Sequence, residues 1–326
     1  MIWKIGISLA LFPVIYLLIA CVLILFPPRV EDSESLNFSQ LRGGPDLSKQ
    51  QELLTYAARD GQELAYRHYA SRSSVSLILL HGSGYHGGYL DPMASYLSNS
   101  NAAQIFVPNL RGHFGSGERR GDIDYVGQLE DDLSDLVDMI LASNPDTTIV
   151  MGGHSSGGAM AIRFAASEYG DRIENYFALA PILGHKAPTV IEGNGGWAHI
   201  SLPRIIGLSM LNNVRLHIFD HLETIRFNMP EQFQNGTETL GYSWRLMTNF
   251  NLHTNFRGDI ESLPQTSLTL VGRDDEAMNS AAFISLFNAL HKSVELLDDQ
   301  DHFSLTRSEL SFVRINRWLD AVTRGN

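Results

Sequence analysis

Residues Thr148-Ile149-Val150-Met151, followed by Gly153-His154-Ser155-Ser156-Gly157, read as an apolar strand running into Gly-x-Ser-x-Gly. The small residues from Ala159 to Ala166 then continue as a helix. A strand that turns this tightly into a helix has no room for side chains two positions before and two positions after the central residue, and glycine supplies both. The central serine is thereby lifted above the sheet edge. The backbone N–H of the next residue and the start of the helix point at any oxyanion that develops beside it. Only Ser155 fits the frame, because with Ser156 at the centre the residue two before would be His154. Ser155 is the candidate nucleophile, and the N–H of Ser156 is a candidate oxyanion donor.

A serine hydroxyl needs a base to take its proton and a carboxylate to hold that base in the right tautomer. Behind this kind of elbow the two follow in chain order, acid and then histidine, past the ends of later strands. The apolar run 267–271 leads into Gly272-Arg273-Asp274-Asp275, and the run 293–297 leads into Asp298-Asp299-Gln300-Asp301-His302-Phe303. His302 is the candidate base. Asp275, at the fourth position of a Gly-x-x-Asp turn, is preferred to Asp274 as the acid, and Asp298, Asp299 and Asp301 are expected to be solvated loop carboxylates. The second oxyanion donor is expected after the first long strand, 75–80, where His81-Gly82-Ser83-Gly84 lets the backbone approach a reacting carbonyl. The N–H of Ser83 is assigned that role. His81 is expected to hold the turn by hydrogen bonds, and His86 and His113 to stand on the rim.

Working outward, the spacing predicts a hairpin over 55–69 with Asp60-Gly61 at its turn, and then an alternation of strands and helices. Strands are expected at 75–80, 104–107, 147–152, 176–179, 267–271 and 293–297. Helices are expected at 91–97, 126–142, 157–168, 281–290 and 305–322. Nearly continuous apolar strands separated by helices argue for a mostly parallel sheet covered on both faces. Between about 184 and 259 the strand period is lost, and a long insertion there reads as a helical cap over the sheet edge. Its residues Trp197, Phe219, Phe227, Met229, Tyr242, Trp244 and Phe250 are candidates for an acyl pocket. The expected organisation is an N-terminal segment at 1–29, a polar linker at 30–52, and one domain at 53–326 that contains the cap.

The 326 residues are 44% hydrophobic and carry a formal net charge of −12 from 36 acidic and 24 basic side chains. That composition fits a globular chain with a sizeable core and argues against a nucleic-acid partner, since no basic stripe can neutralise phosphates. The histidines show no zinc-recruiting spacing and no phosphate-cradling glycine loop occurs, so no metal or cofactor is expected. The only cysteine is Cys21, so neither a disulfide nor a thiolate metal site is available elsewhere. Ile5 to Phe26 is an apolar run long enough, at about 20 residues per span, to cross a bilayer. An uncleaved signal anchor, a cleaved secretory signal and a lipoprotein signal at Leu18-Ile19-Ala20-Cys21 all fit it, with a buried core helix the least favoured reading. The anchor is preferred because the run continues past Cys21. It implies a single-pass membrane protein whose domain lies outside the cytoplasm, in a periplasm or lumen, with the membrane as a partner.

The motifs together resemble the α/β-hydrolases of the monoacylglycerol lipase, lysophospholipase and serine aminopeptidase-like group. The matching pieces are Asp60-Gly61, His81-Gly82-Ser83-Gly84 with Tyr85-His86, Asn109-Leu110-Arg111-Gly112-His113-Phe114-Gly115-Ser116, the elbow, Gly272-x-x-Asp275 and His302. They extend from about residue 55 to 320. The elbow departs from the lipases' usual Gly-His-Ser-Met-Gly in having Ser156, which leaves the backbone donor untouched. The resemblance implies an α/β-hydrolase fold and a serine hydrolase cleaving carboxylic esters, and anchoring at a bilayer favours lipid-like substrates such as monoacylglycerols or lysophospholipids. A peptidase, amidase, thioesterase or acyltransferase would use the same three side chains. A non-catalytic binding protein is disfavoured because all three positions are filled. Nothing in the sequence fixes an oligomeric state.

Overall fold

Every residue of Val75–Leu80 is buried, and since successive side chains of a strand point to opposite faces, this strand is covered on both. In the structure, a computed structural model that describes residues 2–30, 36–41, 51–191 and 196–324, it lies near the middle of a large sheet. The strands among the described residues are β1 (Leu54–Ala57), β2 (Glu63–Tyr69), β3 (Val75–Leu80), β4 (Gln104–Pro108), β5 (Thr148–His154) and β6 (Asn175–Leu179). They continue with β7 (Ala198–Ile200), β8 (Glu223–Phe227), β9 (Gly241–Ser243), β10 (Leu268–Gly272) and β11 (Glu295–Leu297). The large sheet has the order β1-β2-β4-β3-β5-β6-β10-β11. The first two pairings are antiparallel, and every pairing from β4 to β11 is parallel. The helices are α1 (Ile2–Leu23), α2 (Asp91–Asn99), α3 (Gln128–Ser143), α4 (Ser156–Ala165), α5 (Leu202–Asn213), α6 (Trp244–Asn249), α7 (Phe256–Glu261), α8 (Ser280–Ala289) and α9 (Glu309–Arg324). α4 packs on β3, β5 and β6, while α2 and α9 pack on each other. The parallel arrangement brings the C-terminal ends of β3, β5, β10 and β11 to one edge, where loops can converge on a ligand.

The segment between β6 and β10 carries α5, α6 and α7 together with a small antiparallel sheet, β7-β8-β9. Backbone hydrogen bonds stitch it to the loops below: Thr239 N–H donates to Gly84 O at 3.0 Å and Ser243 N–H to Gly121 O at 2.8 Å. Under it, the buried Arg163 of α4 donates to Glu130 at 2.6 Å and to the Asn251 carbonyl at 3.0 Å. An ion pair removed from water needs this kind of full satisfaction to be tolerated.

The N-terminal segment departs from its expectation. No helix among the described residues is long and apolar enough to cross a membrane. The physical reason lies in what the apolar run touches. Ala20 and Ile24 are buried against Leu208 and Leu211 of α5, with Leu17, Phe219 and Trp244 packed around them. Tyr16 donates to the Met210 carbonyl at 3.0 Å, and Arg204 and Ser201 donate to the Ile24 and Phe26 carbonyls at 2.7 and 2.5 Å. The expected single-pass anchor from Ile5 to Phe26 and its membrane partner are therefore overturned, and the placement outside the cytoplasm loses the ground on which it rested. The polar stretch expected as a linker also holds packed residues, since Leu36 and Phe38 belong to the main core.

Candidate active site

Gly153 and Gly157 face each other across the β5–α4 turn. A Cβ on Gly153 would stand 2.4 Å from the Gly157 backbone, and one on Gly157 would stand 2.4 Å from the Leu80 and His81 carbonyl oxygens. Only glycine allows this closure. Between them Ser155 is held at φ 57° and ψ −122°, a strained conformation for a residue with a side chain. The turn is pinned by Ser155 N–H donating to Leu179 O at 2.8 Å.

Three side chains predicted from widely separated loops meet here. His302 Nε2 lies 3.0 Å from Ser155 Oγ, and His302 Nδ1 lies 2.9 Å from Asp275 Oδ2. A carboxylate only accepts, so Nδ1 carries the proton and Nε2 is free to accept from the serine hydroxyl. Asp275 Oδ1 accepts from Ala277 N–H at 2.9 Å, whereas Asp274 is exposed. Burial alone would lower the His302 pKa. The charge and hydrogen bond of Asp275, with the nearby Glu276 and Asp301 carboxylates, outweigh it and raise the pKa above the ordinary imidazole value.

Ser83 and Ser156 also converge, their hydroxyl oxygens 2.5 Å apart beside Ser155. Gly82 makes the approach possible, since a Cβ there would lie 3.0 Å from the Ser155 Cβ. A hydrogen-bond chain not foreseen from the sequence runs beneath. Gly82 N–H donates to Tyr89 Oη at 2.7 Å, Tyr89 donates to His154 Nδ1 at 2.9 Å, and His154 Nε2 donates to the His302 carbonyl at 2.9 Å. Burial and the neighbouring His302 keep His154 far below the usual pKa and hence neutral, as that pattern requires. Glu276, also unforeseen, accepts from His302 N–H at 3.1 Å. It follows Asp275 directly in the chain, but no spacing rule marks it.

The other histidines divide. His81 is buried, with Nδ1 2.8 Å from Gly82 O and Nε2 accepting from Leu110 N–H at 3.0 Å. His86 and His113, expected on the rim, are buried instead. His86 bonds Thr237 at 3.0 Å and His113 bonds Tyr242 at 2.8 Å, both partners being in the inserted segment. Burial pushes His86 down to about 3 and His113 down to about 4, so both are neutral braces between the sheet loops and the insertion. Tyr242 also accepts from Gly84 N–H at 2.8 Å.

Two small cavities open at Ser155, of about 20 and about 80 Å³. Among the aromatic and methionine candidates, Trp197 lines both, Met229 the smaller, and Phe227, Tyr242 and Phe250 the larger. Phe219 and Trp244 do not line them and pack against the α1–α5 contact.

The family model described as serine aminopeptidase, S33, matches residues 71–226. Mouse monoglyceride lipase is 30% identical over 133 residues, which cover 39% of this chain and 43% of that protein, so the match spans less than half of the relative's length. Among solved structures, a soluble variant of monoglyceride lipase from Saccharomyces cerevisiae, in complex with a substrate analog, superposes with a TM-score of 0.61 at 14% identity, over 85% of this chain and 96% of that one. A membrane phospholipase A, described as a bacterial virulence factor, superposes with a TM-score of 0.57 at 15% identity, over 98% of both chains. At those identities the structural likeness establishes the fold. Taken with the sequence similarity, it gives the chain the α/β-hydrolase fold and a resemblance to monoglyceride lipase and to the serine aminopeptidase, S33, family.

Proposed function

We propose that this chain is a serine-dependent carboxylic ester hydrolase acting on lipid-like esters of the monoacylglycerol or lysophospholipid kind. The observation that supports the reading most strongly is the continuous hydrogen-bonded series from Ser155 through His302 to Asp275. His302 Nε2 takes the Ser155 proton as Oγ attacks the ester carbonyl carbon, and Asp275 stabilises the imidazolium. The N–H groups of Ser83 and Ser156 hold the oxyanion. Collapse breaks the carbon–oxygen bond to the alcohol, which leaves with the proton from His302, and the acyl group stays on Ser155. Water then gives a proton to His302 and attacks the acyl carbon, releasing the acid and restoring the hydroxyl. The inserted segment acts as a cap whose apolar side chains receive the substrate.

Membrane anchoring no longer bears on the choice of substrate. Lipid-like esters are favoured by the apolar walls of the larger cavity, among them Ile225, Phe227 and Phe250, and by the similarity to a monoglyceride lipase. The matched family's description keeps an aminopeptidase in view. Such an enzyme must hold a substrate ammonium, and among the described residues lining the two cavities none is acidic, which favours the ester. The test offers purified protein a short-chain monoacylglycerol, the matching amide and an aminoacyl anilide. Fatty-acid release from the glyceride alone is expected. Faster cleavage of the anilide would replace the esterase reading with the peptidase.

A further inference from the structure

Leu36 and Phe38 precede the first strand of the sheet, yet they are 5% and 2% exposed and lie against the candidate active site. Leu36 lines both cavities at Ser155, and Phe38 lines the smaller one. The Phe38 ring sits 5.2 Å, centroid to centroid, from both Trp197 and Phe303. Between the two, the exposed Asn37 ties the segment down. Its N–H donates to Glu276 Oε1 at 2.9 Å and its Nδ2 to Asp301 Oδ2 at 3.0 Å. These carboxylates immediately follow Asp275 and immediately precede His302 in the chain. The other Glu276 oxygen accepts from His302 N–H. The segment is thus held in register with the two loops that carry the acid and the base.

We propose that Leu36, held in place by Asn37, is a specificity-determining residue that separates the acyl branch of the site from the alcohol branch and limits the acyl chain to a short one. The proposal rests on the esterase reading and narrows its substrates to short-acyl esters. The larger cavity has the apolar walls an acyl chain requires, and the smaller, lined by Ser83, His154 and His302 as well as aromatic rings, is left for the alcohol. At about 10–15 Å³ of such room for each water-sized group, a cavity of about 80 Å³ takes about five to eight such groups. Leu36 forms part of the wall of that cavity, so a smaller side chain there gives a longer acyl chain more room. Truncating Leu36 removes the partition directly, and truncating Asn37 loosens it without altering the wall itself.

The test assays the full chain, Leu36→Ala and Asn37→Ala on nitrophenyl esters from acetate to palmitate. The unsubstituted chain is expected to favour butyrate over decanoate. Both substitutions are expected to raise the ratio of kcat/KM on decanoate to that on butyrate by about tenfold, the worth of burying roughly two more methylenes. An unchanged ratio in both variants, an unsubstituted chain that already favours decanoate, or variants that lose activity on every ester would each overturn the proposal. If the unsubstituted chain hydrolysed none of the esters, the esterase reading itself would fall.

Discussion

His302 Nδ1 stands 2.9 Å from Asp275 Oδ2, with the two side chains 2% and 0% exposed, while the adjacent Asp274 faces solvent. Two neighbouring aspartates therefore differ sharply in what they can do. Asp275→Asn replaces the acceptor with an amide that favours the wrong imidazole tautomer, and turnover on an ester is expected to fall by about 10⁴. Asp274→Asn is expected to stay within about twofold. Steady-state kinetics on one ester decides, and equal losses would mean that the carboxylate pair acts through general charge.

The raised pKa of His302 sets the pH dependence. The base works only when neutral, and a raised pKa keeps it protonated to a higher pH. The acid limb of kcat/KM is therefore expected above the ordinary imidazole value of about 6.5. Asp275 is the main source of the increase, so the residual activity of Asp275→Asn is expected to show that limb displaced to lower pH. A limb displaced upward, or one that stays in place, would assign it to another group.

Tyr89 links Gly82 N–H to His154, and His154 links onward to the backbone of His302. Tyr89→Phe leaves a buried donor and a buried acceptor unpaired, at a cost of about 1–3 kcal/mol for each. The loosened oxyanion loop is expected to lower kcat by about tenfold to a hundredfold with KM nearly constant. A rise in KM at constant kcat would show that the hydroxyl serves binding instead.

Gly157→Ala places a methyl group 2.4 Å from two backbone oxygens that cannot rotate away. Urea denaturation is expected to show about 3 kcal/mol lost. A loss below about 0.5 kcal/mol would mean that the elbow opens more readily than its packing implies.

The fold was legible in the sequence wherever hydrophobic periodicity and turn chemistry agreed. The apolar run 75–80 became β3 residue for residue, and the parallel sheet follows from such strands alternating with helices. Within the candidate site, Ser155, Asp275 and His302 were legible because the elbow geometry and the strand ends restrict which residues can occupy those positions. The roles that escaped notice depend on long-range contacts without a local signature. Tyr89 and Tyr242 are hydroxyls reached only after folding, and His86 and His113 are buried by partners 151 and 129 positions away. The N-terminal run misled because hydropathy does not distinguish a segment bound for lipid from one packing on a protein surface. Ala20 and Ile24 against α5 are the second case. Leu36 and Phe38 were hidden in a polar stretch whose composition resembles a linker.

The central claim is that Ser155 is an activated nucleophile, and a fluorophosphonate probe reads this directly, since it reacts with serines whose proton a neighbouring base can accept. The unsubstituted chain is expected to be labelled once, at Ser155 by peptide mapping. Ser155→Ala is expected to remain unlabelled while keeping its circular dichroism and thermal midpoint, because removing one hydroxyl empties no core. Undiminished labelling of Ser155→Ala, or no labelling of the unsubstituted chain, would contradict the assignment.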